Sequence, residues 1–89
     1  MAKEQRKEVY IVNVLETEDG IPFSDIYAFG TMEEAKAFFN GQVEQYKSEY
    51  EMDKYGAIED EAETLFSWTK EIGFACDALE ITIYKRLIR

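Results

Sequence analysis

The chain has no histidine and a single cysteine, Cys76. Without His, neither a Ser/His/Asp triad nor a Cys/His dyad can be assembled, and one Cys excludes both a disulfide and a Cys/His zinc site within one chain. Glycine is scarce, and the five residues at 20, 30, 41, 56 and 73 never approach each other closely enough for a phosphate-cradling loop. The longest apolar run, Val9 to Leu15, is interrupted by Asn13 and falls far short of the roughly 18 to 20 residues that a membrane span requires. It is also at the short limit for a signal-peptide core, and no small-residue cleavage site follows, so the expected compartment is the reducing cytoplasm. The lone Cys76 fits that expectation, because secreted chains of this size usually carry paired cysteines.

What is present is a folding composition. In 89 residues, 46% are hydrophobic and 15% aromatic, enough for burial to balance ordering entropy. The length, 1–89, predicts a single domain around one core, burying about 60 to 65% of the unfolded surface.

Nineteen acids against ten bases leave a net charge of −9. Residues 1–15 sum to plus one and residues 81–89, with Lys85, Arg86 and Arg89, to plus three, so residues 16–80 hold minus thirteen. Such a field repels phosphate backbones and anionic membrane surfaces, which argues against direct nucleic-acid or lipid binding through the body of the domain, and it attracts a basic partner.

Residues 8–16 are rich in β-branched and aromatic types and predict a strand, with Tyr10, Val12 and Val14 on one side and Val9, Ile11, Asn13 and Leu15 on the other. Asp19, Gly20 and Pro22 suit a connecting turn, and Phe23 to Phe29 reads as a second strand, so the pair predicts a hairpin with a long loop. Thr31-Met-Glu-Glu34 is a capping box, and behind it Ala35, Phe38, Phe39, Val43, Tyr46 and Tyr50 recur at helical spacing, predicting a helix over 31–52. Gly41 lies within it, but the register continues through.

Between 53 and 77 two periods compete. The acid-rich stretch 53–63 reads first as a solvated loop. Beyond it, Ile58, Ala62, Leu65, Thr69 and Ile72 fall at steps of four and three, as on a second helix over 58–72, whereas Thr64 to Thr69 has strand composition with Phe66 and Trp68 on one face. Leu79, Ile81 and Ile83 then alternate with polar residues in a final strand. The expected architecture is α+β: a small two-layer sandwich, hairpin, long helix, hairpin, with an antiparallel sheet of three or four strands and the helix packed on one face.

No constellation in this chain calls for catalysis, a metal or another cofactor. Asp53 to Glu63 lacks the ligand spacing of a calcium loop, and nineteen acids guarantee some close carboxylate pair by coincidence alone. Cys76, with Asp77 beside it, reads as a structural residue. The thirteen aromatics are more informative. One helix covers one face of a sheet, so the opposite face is expected to expose Val9, Ile11 and Leu15, with whichever of Tyr27, Phe29, Phe66, Trp68 and Tyr84 shares that side. An uncovered apolar patch of this kind marks an interface, and Val9, Ile11, Leu15, Trp68 and Tyr84 are its candidate residues. The alternative is that the loop 53–64 or the termini fold over it.

The order of features, a hairpin, the capped helix "TMEEAKAFF", an acidic connector, "FSW" and the closing "CDALEITIYKRLI", resembles that of many small acidic proteins of phages, prophages and gut bacteria. The resemblance is architectural and assigns no residue a role. It implies an accessory protein, some of which, like certain anti-CRISPR proteins, occupy basic grooves of nucleic-acid machinery.

Two functions follow as expectations. The first is a non-catalytic interaction module, a homodimer or adaptor using its sheet face. The second is a nucleic-acid mimic presenting Glu49, Glu51, Asp53, Glu59, Asp60, Glu61 and Glu63 to a partner's basic groove.

Overall fold

The computed structural model describes residues 7–73 and 75–88. It is α+β, as expected, with one more strand: β1 (Lys7–Glu18), β2 (Ile21–Phe29), α1 (Met32–Glu49), β3 (Ala57–Glu61), β4 (Leu65–Ile72) and β5 (Ala75–Ile88). All neighbours pair antiparallel in the order β2-β1-β5-β4-β3.

The first hairpin is tighter than its composition predicts. Its loop is two residues, Asp19 and Gly20, at φ 51° and 81°. These left-handed values are those of a type I′ turn, whose twist matches that of the strands it joins. Pro22 falls inside β2, opposite Thr17, on a strand with no outer neighbour among the described residues, where its missing N–H removes no ladder bond.

Helix α1 starts where the capping box places it. The Glu34 N–H donates to Thr31 Oγ1 at 3.1 Å, and the Thr31 hydroxyl donates to Glu34 Oε1 at 3.0 Å, so the return bond uses the hydroxyl. The helix passes through Gly41 unbroken and ends at Glu49. The chain turns there through Glu51, at φ 49°, and Met52 drops back into the core.

Residues 58–72 form no helix. They lie in β3 and β4, joined by a tight turn in which the Ala62 N–H donates to the Leu65 carbonyl at 2.8 Å. Burial explains the choice. In β4 the alternate residues Phe66 and Trp68 sink almost wholly into the core, whereas a helix on the four-and-three pattern would have buried Ile58 and Leu65, which remain partly exposed. The acids of 59–61 then stand on an edge strand, where solvent reaches them.

One face of the sheet carries Val12, Val14, Phe66, Trp68, Leu79, Ile81 and Ile83 against Ala35, Phe39 and Val43 of the helix. Eighteen helical residues span about 27 Å, and the fourteen residues of β5 span about 46 Å. The helix therefore cannot roof the whole sheet.

Two further contacts hold the layers together. The half-buried Glu16 carboxylate on β1 accepts from the hydroxyls of both Tyr46 and Tyr50, the latter at 2.9 Å. Burial, then the bond to Glu16, pushes both phenols well above their ordinary range. Tyr50 also stacks on Trp68, with ring centroids 5.3 Å apart, and the Trp68 Nε1–H donates to the Tyr55 carbonyl at 3.0 Å. Gly56 makes that approach possible: at φ 73°, a Cβ there would lie 2.5 Å from the Thr69 carbonyl and 2.6 Å from Trp68 Nε1.

Candidate interaction surfaces

The register decides which apolar side chains the helix leaves uncovered. Because side chains alternate along a strand, Val9, Ile11, Asn13, Leu15 and Thr17 point away from the helix, and so do their partners in adjacent strands. One row runs Ala28, Ile11, Tyr84, and the next runs Ile26, Asn13, Thr82, Leu65. Val9, Ile11, Ile26, Tyr84, Arg86 and Leu87 line a shallow groove at this end of the sheet. Ile26 is 65% exposed and Tyr84 38%. The Arg86 guanidinium lies over the Tyr84 ring, 5.7 Å from its centroid, and adds the groove's positive charge.

Toward the Asp19-Gly20 turn the same face becomes polar. Its rows there run Ser24, Leu15, Glu80, Ser67, Asp60 and then Pro22, Thr17, Ala78, Thr69, Ala57. Leu15 is thus half-buried among polar neighbours, apart from the apolar end.

Four of the five candidate patch residues, Val9, Ile11, Leu15 and Tyr84, share this open face. Trp68 does not: it lies on the helix side and is 2% exposed. Its even position in β4 puts it in register with Leu79 of the core, and its indole N–H needs the Tyr55 carbonyl that only that side supplies. Tyr27, Phe29 and Phe66 also face the helix side. Nor does the 53–64 segment cover the open face. Tyr55 and Gly56 lie against Trp68 on the helix side, and Ala57–Glu61 extends the sheet within its own plane. Residues 1–6 and 89, the termini that could also fold over it, lie outside the described residues.

The seven candidate acids are exposed along one edge of the molecule. Glu49, Glu51 and Asp53 surround the end of α1, Glu59, Asp60 and Glu61 form most of β3, and Glu63 lies in the turn after it. Lysines partner three of them: Lys54 with Glu51 at 3.3 Å, Lys36 with Glu63 at 3.5 Å, and Lys47 with Glu61. The Ser67 hydroxyl donates to Asp60 at 2.9 Å and that of Thr69 to Glu59 at 3.3 Å. A register shift between Ile58 and Asp60 bends the strand. Glu61 consequently meets the helix lysine while Glu59 and Asp60 meet hydroxyls of the open face, so the acids form a rim and not a single row.

Sequence reasoning missed the outer edge of β2. Eight of its nine residues are exposed, among them Ile21 and Phe23 at 57% each. The signal was present in the composition, since IPFSDIYAF carries one charge, but strand order is what makes β2 an edge.

Among the described residues, no three Cys, Asp or Glu side chains converge as a metal-binding set, and no helix is long and apolar enough to cross a membrane. No family model, curated protein or solved structure matches the chain.

Proposed function

We propose that this chain is a non-catalytic protein-interaction module, acting in the cytoplasm, that associates with a second copy of itself through the apolar end of its open sheet face. The observation that carries this reading is the side-by-side placement of Val9, Ile11, Ile26 and Tyr84 on a face that the helix cannot reach. Water-exposed aliphatic and aromatic side chains in adjoining rows gain free energy when a second surface excludes solvent from them. The one charged residue lining the groove is Arg86, so a chain of net charge −9 presents a less repulsive surface there than along its acidic rim.

Nucleic-acid mimicry draws less support. Lys36, Lys47 and Lys54 offset part of the acidic rim, and its carboxylates divide between the two sides of an edge.

The test is Ile11→Glu, which places a charge in the centre of the patch without touching the buried side of β1. The expected outcome is an unchanged circular dichroism spectrum and a fall in light-scattering mass toward the monomer. An unchanged mass would remove the face from consideration.

A further inference from the structure

Among the described residues the outer edge of β2 has no partner strand, and its hydrogen-bonding pattern can be read from the turn. In a two-residue hairpin the flanking residues, Glu18 and Ile21, form a hydrogen-bonded pair, so β2 residues 21, 23, 25, 27 and 29 bond to β1. Two bonds elsewhere in the sheet confirm the alternation. Cys76 accepts from Gly20 on the β1 side of β5, and the Ile83 N–H donates to Thr64 on the β4 side. Ser24, Ile26 and Ala28 therefore direct both N–H and C=O outward, and Pro22 directs only C=O.

We infer that this edge pairs antiparallel with β2 of a second copy, with Ile26 opposite Ile26 at the two-fold axis. The inference takes its partner, a second copy, from the proposed function, but it uses a different surface.

Three observations favour this partner and rank this register above those centred on Ser24 or Asp25. First, charge: β2 holds only Asp25, whereas the opposite edge, β3, holds three acids in five residues, so two chains of net charge −9 approach at β2 with the least repulsion. Second, the ladder: with Ile26 at the axis, Ser24 pairs with Ala28 of the second copy, all six outward N–H groups find carbonyls, and Pro22 falls outside the paired segment. Centring on Ser24 instead places Pro22 opposite Ile26 and orphans a carbonyl in each chain. Third, the side chains: centring on Asp25 sets two carboxylates directly opposite, which is repulsive. With Ile26 at the axis, Asp25 faces Tyr27 and Phe23 faces Phe29 on the helix side, while the two Ile26 side chains meet on the open face. The product is a continuous ten-stranded sheet in which the two apolar ends adjoin.

Disulfide trapping tests this in a Cys76→Ser background. Asp25 and Tyr27 are exposed and point to the helix side, and directly opposite residues lie about 4.5 to 5.5 Å apart at Cα, within disulfide reach. An equimolar mixture of Asp25→Cys and Tyr27→Cys chains is expected to form the mixed disulfide at least about tenfold faster than either chain alone cross-links. Ala28→Pro, which deletes an outward N–H and no inner ladder bond, is expected to lower that yield at least about tenfold while the circular dichroism spectrum is kept. A mixture that links no faster than the single chains, or a yield indifferent to Ala28→Pro, overturns the inference. Ile11→Glu separates it from the face reading. Retained linking with unchanged mass leaves the edge standing and the face refuted, and a reduced mass without mixed disulfide does the reverse.

Discussion

The two edges of this sheet are built in opposite ways. β3 is short, bulged and acidic, yet it is anchored: Ile58 pairs with Trp68, the most voluminous fully buried side chain, and Gly56 and Tyr55 close over the indole. β2 is nearly twice as long, carries one charge, exposes Ile21, Phe23, Ile26 and Tyr27, and contributes no residue to the fully buried core. One edge of this small domain is thus tied into the core, and the other is held mainly by its ladder to β1. Charge guards the edge that the core holds, and the edge that the core barely holds is left able to pair.

The largest effect expected from breaking this contrast is at Trp68. Trp68→Ala should lower stability by about 3 to 5 kcal/mol in urea unfolding, because it opens a cavity and frees the Tyr55 carbonyl. Phe23→Ala on β2 should change stability by no more than about 0.5 kcal/mol while reducing self-association. Equal losses at the two positions would erase the distinction between the edges.

An intermediate effect is expected between the layers. Glu16→Ala removes the acceptor shared by Tyr46 and Tyr50 and should cost about 1 to 3 kcal/mol. Both phenols titrate above their ordinary range in the folded chain, raised first by burial and then by the bond to Glu16. Their contribution to stability is therefore fully present below the unfolded tyrosine value of about 10 and is lost as pH rises beyond it. Ultraviolet titration should show these two of the six tyrosines ionising only as circular dichroism reports unfolding. Full ionisation of all six in a folded protein would contradict the clamp.

A smaller effect than at Trp68 is expected at β3, where replacing Glu59, Asp60 and Glu61 together by Thr removes one exposed ion pair and two hydroxyl contacts, each worth about 1 kcal/mol or less. Its consequence lies in association: the neutralised edge should begin to pair, and the light-scattering mass should climb above that of the unaltered protein. A stable, unchanged mass would mean that charge is not what protects β3.

Much of this was legible in the chain. The Asp-Gly turn, the Thr31 cap and the apolar stripe of α1 are local signals whose physics is complete within a few residues, and the open face with Val9, Ile11 and Tyr84 follows from period two and a single helix. One miss was local, the long loop expected where Asp19 and Gly20 alone make the turn; the others were non-local. β3 is a strand because β4 supplies its ladder, although Glu59, Asp60 and Glu61 have poor strand propensity and read as a solvated loop. Trp68 was assigned to the open face because alternation gives two sides without saying which one meets the helix. The exposed edge of β2 was invisible until the order β2-β1-β5-β4-β3 placed it outermost.

Self-association is tested most directly by the light-scattering mass of the unaltered protein across a hundredfold range of concentration. The mass is expected to rise from monomer to dimer or beyond as concentration increases, and to stay raised in high salt because the contact is apolar and main-chain. A monomer mass throughout would contradict it.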